Sequence, residues 1–235
     1  MYFLGHMAWA YVFAILAWAF IPGIKRTGKL FIPLILILGV LPDADLLFGR
    51  LGIVHHTVTH SFFFWIVLFV PFFVVFRLKA IPYFVAVVQH FAFGDLLVDK
   101  VMLFWPFKSS FIGLNWGMGS PLDVAFESAG LVLMLGIMIY IGDLKRLFSI
   151  DKANRFMIFP FLALLPSLLL LGSSWSIDTS ISYPLSKNLI VILAIEHVIL
   201  LTFIGISAIQ GMRAKNKVQT VQNDKSIPPA SFGNS

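Results

Sequence analysis

Between Leu41 and Ser61 the chain reads LPDADLLFGRLGIVHHTVTHS, which places Asp43, Asp45, His55, His56 and His60 within one short stretch. The whole chain has only six histidines and eleven acidic residues. Imidazole nitrogen and carboxylate oxygen together suit zinc or a similar divalent ion. A metal of that kind lowers the pKa of bound water and polarises a phosphoryl or carbonyl oxygen, which is the chemistry of hydrolysis. Asp43 and Asp45 are both candidate ligands, and Asp45 is also a candidate general base. His55 and His60 are five residues apart and do not stack on an unbroken helix. They converge if His55 ends a loop and His60 opens the next helix, with Thr59 or Ser61 as its cap. Neighbouring side chains diverge, so at most one of His55 and His56 is expected to share a metal with His60. His56 is read instead as a contact for a substrate anion.

Further donors lie elsewhere. His6 sits early in the first apolar segment, and His90 lies inside another with Asp95 five positions on. Five steps of about 100° leave that pair some 140° apart on a regular helix, so the two chelate together only if Gly94 allows a bulge. Asp99 stands beside Lys100, where a solvated ion pair is expected, and Glu127 is supported by position alone. Glu196 and His197 are adjacent, point to different faces and are left outside the ligand set.

The elements that must carry these residues are apolar. The 235 residues are 59% hydrophobic and only 12% charged, with mean hydropathy +0.93. Soluble domains carry about 25% charged residues, so an integral membrane protein is expected. An all-α, polytopic transmembrane bundle of about seven spans is drawn, over residues 3–21, 30–41, 60–76, 81–97, 122–141, 156–172 and 189–210. The second span is short and weakened by Pro33 and Gly39. Residues 1–211 form one membrane-embedded domain, and 212–235 a polar, disordered tail. No Cys is present, which excludes disulfides and thiolate ligands. The N-terminus lacks the basic region of a cleavable signal and reads as the first span.

Charge sets the expected orientation. With seven crossings, thirteen basic residues fall on one side, grouped around Lys25–Lys29, Arg77–Lys79, Lys145–Arg155 and Arg213–Lys225. The other side receives Arg50, Lys100, Lys108 and Lys187. The basic side is cytoplasmic by the positive-inside rule, giving a multi-pass protein of the cell membrane with its N-terminus outside and its C-terminus in the cytoplasm. The net charge of +6 therefore reports topology and not nucleic-acid binding. Trp105, Trp116 and Trp175 read as outer interfacial anchors. All the candidate donors then fall in the outer leaflet.

The strings GVLPDADLL, HHTVTHS and QHFAFGDLLVDKVMLFWPF, following an early His, resemble the YdjM-like, LexA-regulated membrane-bound metal-dependent hydrolase family over roughly His6 to Phe107. The resemblance implies His6, Asp43, Asp45, His55, His60, His90 and Asp95 as metal ligands. It departs from the family pattern at His56, where Arg is usual, and in the five-residue His90–Asp95 spacing, where four is usual. The arrangement is also distantly similar to zinc-dependent phospholipase C, which implies one to three zinc ions and a phosphoester substrate. The expectation is a membrane hydrolase acting on a phosphoester or lipid-linked substrate, with membrane lipids as its surroundings. Its rivals are a metal or proton-coupled transporter and a non-catalytic protein with a structural metal.

Overall fold

A computed structural model describes residues 1–21, 29–52, 54–176 and 187–226. Its elements among these residues are helical: α1 (Phe3–Phe20), α2 (Ile32–Val40), α3 (Phe62–Phe76), α4 (Ile81–Gln89), α5 (Leu96–Val98), α6 (Pro121–Ile141), α7 (Asp143–Leu147), α8 (Ile158–Ser176) and α9 (Lys187–Ser226). A single isolated bridge, Val101 to Ile112, is the only β pairing among the described residues.

Among the described residues, five helical stretches are long and apolar enough to cross a membrane: Phe3–Phe20, Ile32–Gly49, Phe62–Val98, Pro121–Ile141 and Asn188–Ala214. The expected spans at 60–76 and 81–97 fall within one of these, Phe62–Val98. There the chain turns at Arg77, held at φ 51°, and α3 and α4 pack side by side. Phe69 and Phe73 of α3 both meet Phe84 of α4, at 5.3 and 5.4 Å. α9 runs on to Ser226, so the polar stretch read as a tail from residue 212 is helical that far. Residues 227–235 of that tail lie outside the described residues.

α1 is the axis of the bundle. Leu4, Met7, Ala8, Ala10, Tyr11 and Ala14 are buried, because α2, α4 and α6 close around it. Small residues permit that approach, as they do between membrane helices. A side chain at Gly39 of α2 would sit 2.6 Å from the Ala10 methyl and 2.7 Å from the His6 carbonyl. α2 cannot continue past Val40. Pro42 follows, and the chain tightens into a 3₁₀ helix over Leu41–Leu51 that carries both aspartates.

The two ends of the bundle differ in polar content. Arg146 donates to the Leu30 carbonyl at 3.0 Å, and Phe31 packs on Phe156 at 5.6 Å. This joins the segments that carry Lys29, Lys145, Lys152 and Arg155 at one end. The carboxylates and imidazoles singled out in the first half of the chain gather at the other.

Candidate metal centre

Three elements deliver the donors. The 3₁₀ helix after α2 carries Asp43 and Asp45. A turn at His55–His60 leads into α3, where Ser61 is the N-cap and accepts from Phe63 N at 3.2 Å. The third is a π-helical turn over His90–Asp95, between α4 and α5. Hydrogen bonding from i to i+5 widens that turn by one residue. It brings His90 and Asp95 to the same side, so that His90 Nε2 lies 3.1 Å from Asp95 Oδ2. The five-residue spacing, unfavourable on an α-helix, fits this turn. Gly94 within it has no side chain to spare, since a Cβ there would lie 2.9 Å from His6 Cε1.

Asp43, His60, His90 and Asp95 form a buried group of four. Asp43 Oδ1 is 3.5 Å from His60 Nε2 and 3.3 Å from His90 Nε2. Asp95 Oδ2 is 3.3 Å from His60 Nε2 and 3.1 Å from His90 Nε2. A tetrahedral ion with bonds of ~2.0–2.2 Å holds its donors about 3.3–3.6 Å apart. The four separations match that spacing to a few tenths of an ångström.

The outer hydrogen bonds aim these donors inward. His90 Nδ1 donates to the Gly39 carbonyl at 2.7 Å, which leaves the Nε2 lone pair facing Asp43 and Asp95. Thr59 Oγ1 donates to Asp45 Oδ2 at 2.5 Å and accepts from His60 Nδ1 at 3.0 Å. His60 is thereby set with Nε2 inward. Both Nε2 atoms and Asp95 Oδ2 are buried without a hydrogen-bond partner. Buried polar atoms left this way cost about 1–3 kcal/mol each, and a cation among them would satisfy all three. Carboxylate or carbonyl partners on the far nitrogen are the usual support for metal-bound histidines.

Among the described residues, every ion-pair partner of Asp43, Asp45 and Asp95 is a histidine.

The remaining sequence-predicted residues take distinct places. His6 is buried, stacks on His90 at 3.7 Å and lies with Nε2 3.3 Å from Asp95 Oδ1. It stands beside the group of four and holds the far oxygen of Asp95. Asp45 is 1% exposed and engaged on both oxygens, accepting from His55 Nδ1 at 2.7 Å and from Thr59. It orients His55 and, through Thr59, His60. His55 is half-buried, with Nε2 3.8 Å from Asp43 Oδ1. His56 does not diverge from it as expected. Its φ of 63° turns the chain so that the two rings lie 3.8 Å apart, and His55, His56 and His60 form a second group of close donors.

Asp99 faces His56 Nδ1 at 3.6 Å, and its Oδ1 accepts from the Lys100 backbone N–H, so the expected ion pair with the Lys100 ammonium is replaced. Glu127 is buried outside these donor groups and accepts from Tyr2 N at 2.6 Å. His197 is bonded to Ser167 and to the Leu193 carbonyl, away from the site. Two contributors went unread in the sequence. Thr59 was considered only as a cap, and Gln89, which donates to the His6 carbonyl at 3.0 Å, was not singled out. A glutamine beside a histidine inside an apolar run was the available signal.

Comparison with protein-family models, curated proteins and solved structures finds no match in any of the three.

Proposed function

We propose that the chain is a multi-pass protein of the cell membrane that uses a bound divalent metal, zinc by the donor set, to hydrolyse a phosphoester or lipid-linked substrate at the outer leaflet. The observation that carries the reading is the set of inward-facing, unpartnered atoms: His60 Nε2, His90 Nε2 and Asp95 Oδ2, all within a few ångströms of Asp43. Asp43, His60, His90 and Asp95 would hold the ion. When bound it supplies an acidified water and polarises the ester oxygen. The chain's own residues fix this geometry: Gly39 O, Thr59 and Asp45 set the imidazoles, and His6 sets Asp95. His55, His56 and Asp99 line the partly exposed approach, where a head group would arrive. The motif strings that resemble the membrane metal-dependent hydrolases point the same way.

The seven-crossing topology, with the basic end in the cytoplasm, fits the two-ended polar content of the bundle. Protein purified with zinc should hydrolyse a phosphodiester or phospholipid head-group substrate, and His60→Ala and Asp43→Ala should lose metal and hydrolysis together. Unchanged metal content in both variants would reject the site.

One observation favours a second reading. Four protein donors close a tetrahedral shell, as structural zinc sites do. Loss of metal that lowers thermal stability, in a protein that turns over no ester, would select that reading.

A further inference from the structure

At the basic end of the bundle, an open cleft of about 360 Å³ lies between the start of α2 and the start of α8. Phe31, Pro33, Leu34 and Ile37 line it from one side, and Phe156 and Phe159 from the other. All six are apolar. The volume is at the lower end of the ~300–1,000 Å³ of clefts that hold small ligands. Leu34 is 40% exposed and Phe159 56%, so the cleft opens outward, where these helices would meet lipid.

Cations surround its mouth. Lys29 stands two residues before Phe31, and Lys152 and Arg155 precede Phe156. All three are exposed. Asp143 and Asp151 pair with Arg146, and Lys29, Lys152 and Arg155 form no ion pair among the described residues. The N-terminus of α2, which has no side-chain cap, adds partial positive charge on the same side.

Arg155 is placed for more than topology. Its guanidinium carbon lies 4.7 Å from the centre of the Phe156 ring, which itself lines the cleft. Stacking by one face leaves the edge of the guanidinium for the bidentate contact that it makes with phosphate. The backbone beneath is pinned. Asn154 donates to the carbonyls of Arg146, Leu147 and Ser149, and Asp151 accepts from Ala153 N at 2.9 Å. Gly211 of α9 packs directly on the Arg155 backbone, with no room for a Cβ.

The positive-inside rule requires charge alone. It requires neither an apolar cleft nor an arginine stacked at its edge. Apolar walls with clustered cations at the rim match an amphiphile that carries negative charge, and basic pockets between membrane helices take anionic lipid head groups. We infer that this cleft binds one anionic phospholipid, with an acyl chain against Phe31, Leu34 and Phe159 and the phosphate on Arg155, flanked by Lys29 and Lys152. The site lies at the opposite end of the bundle from the metal centre and does not depend on it.

The test is native mass spectrometry of the full-length chain in detergent, titrated with dioleoyl phosphatidylglycerol or dioleoyl phosphatidylcholine. Wild type should hold one phosphatidylglycerol at least about fivefold more tightly than phosphatidylcholine, the effect of about one cation at a membrane surface. Arg155→Gln should weaken phosphatidylglycerol at least about fivefold and, at an exposed side chain, keep the lipid-free melting temperature. Leu34→Trp fills the cleft, leaves every charge in place and should weaken both lipids. Arg155→Gln decides the phosphate contact even where Leu34→Trp fails to fold. Equal binding of the two lipids by wild type, or undiminished phosphatidylglycerol binding in either folded variant, would overturn the site. Displacement of phosphatidylglycerol by an equal concentration of glycerol 3-phosphate would show an anion site without an acyl chain, and would overturn it too.

Discussion

The basic end of the bundle and the carboxylate end handle buried polarity in opposite ways. At the basic end Arg146 is its own cation: it donates to the Leu30 carbonyl and lies 3.8 Å from both Asp143 and Asp151. Asp143 also accepts from Tyr11 at 2.9 Å, and Asn154 satisfies three carbonyls. Arg146, Asp143 and Asp151 thus find their charged partners within the chain. At the carboxylate end, the ion-pair partners of Asp43, Asp45 and Asp95 among the described residues are all imidazoles, and three inward atoms have no hydrogen-bond partner. The first arrangement is complete as folded, whereas the second is complete only with a cation added.

Substitutions at the two ends should therefore differ in their response to zinc. The largest effect is expected at Asp95→Asn, which removes a ligand and the group that gathers His6, His60 and His90. Zinc affinity, measured by competition with a chromophoric chelator, should fall by more than the ~10–100-fold typical of a residue behind a ligand. Thr59→Val breaks the link between His60 Nδ1 and Asp45 while leaving every ligand in place, and should fall within that ~10–100-fold range. Gly94→Ala should come next. Its methyl would meet His6 Cε1 at 2.9 Å and Met1 Cε at 2.8 Å, so the His6 ring must shift at a cost of ~1–3 kcal/mol. A lower melting temperature, with zinc binding weakened less than in Thr59→Val, would fit.

Arg146→Ala should lower the melting temperature by the same amount with and without zinc. Zinc itself should raise the wild-type melting temperature, by the equivalent of about 4 kcal/mol when present at a thousand times its Kd. A zinc-dependent Arg146→Ala effect would break the contrast between the two ends.

Protons should compete with the metal at one end only. A metal needs the lone pair of a neutral imidazole, so protons on His60 and His90 compete with it. Zinc affinity, measured by chelator competition, should fall between pH 8 and pH 5, by up to about tenfold per pH unit for each proton displaced. An affinity unchanged over that range would mean that no imidazole binds the metal.

The sequence pointed to the residues that cluster here, because four of its six histidines and four of its eleven acidic residues fall within three short strings. It also made the helical, apolar character plain. What it left open were backbone irregularities. The His90–Asp95 pair is out of phase on an α-helix, and only the π turn brings it into phase. His56 diverges from His55 on an ordinary backbone, and only its positive φ sets the rings side by side. Neither departure has a one-letter signature, although Gly94 marked the first. The roles of Thr59 and Ser61 were interchangeable on paper. In the fold Ser61 caps α3, and Thr59 belongs to the centre. Glu127 is buried as the reading required, but it bonds Tyr2 N and joins none of the donor groups, a distinction that requires the packing of α6.

The most direct test of the centre is zinc K-edge X-ray absorption on the purified, zinc-equilibrated chain. The account predicts a shell of nitrogen and oxygen only, at about 2.0–2.2 Å, with the outer-shell scattering of at least two imidazoles per ion and its loss in His60→Ala. A protein that retains no zinc, or a shell without imidazole scattering, would contradict it.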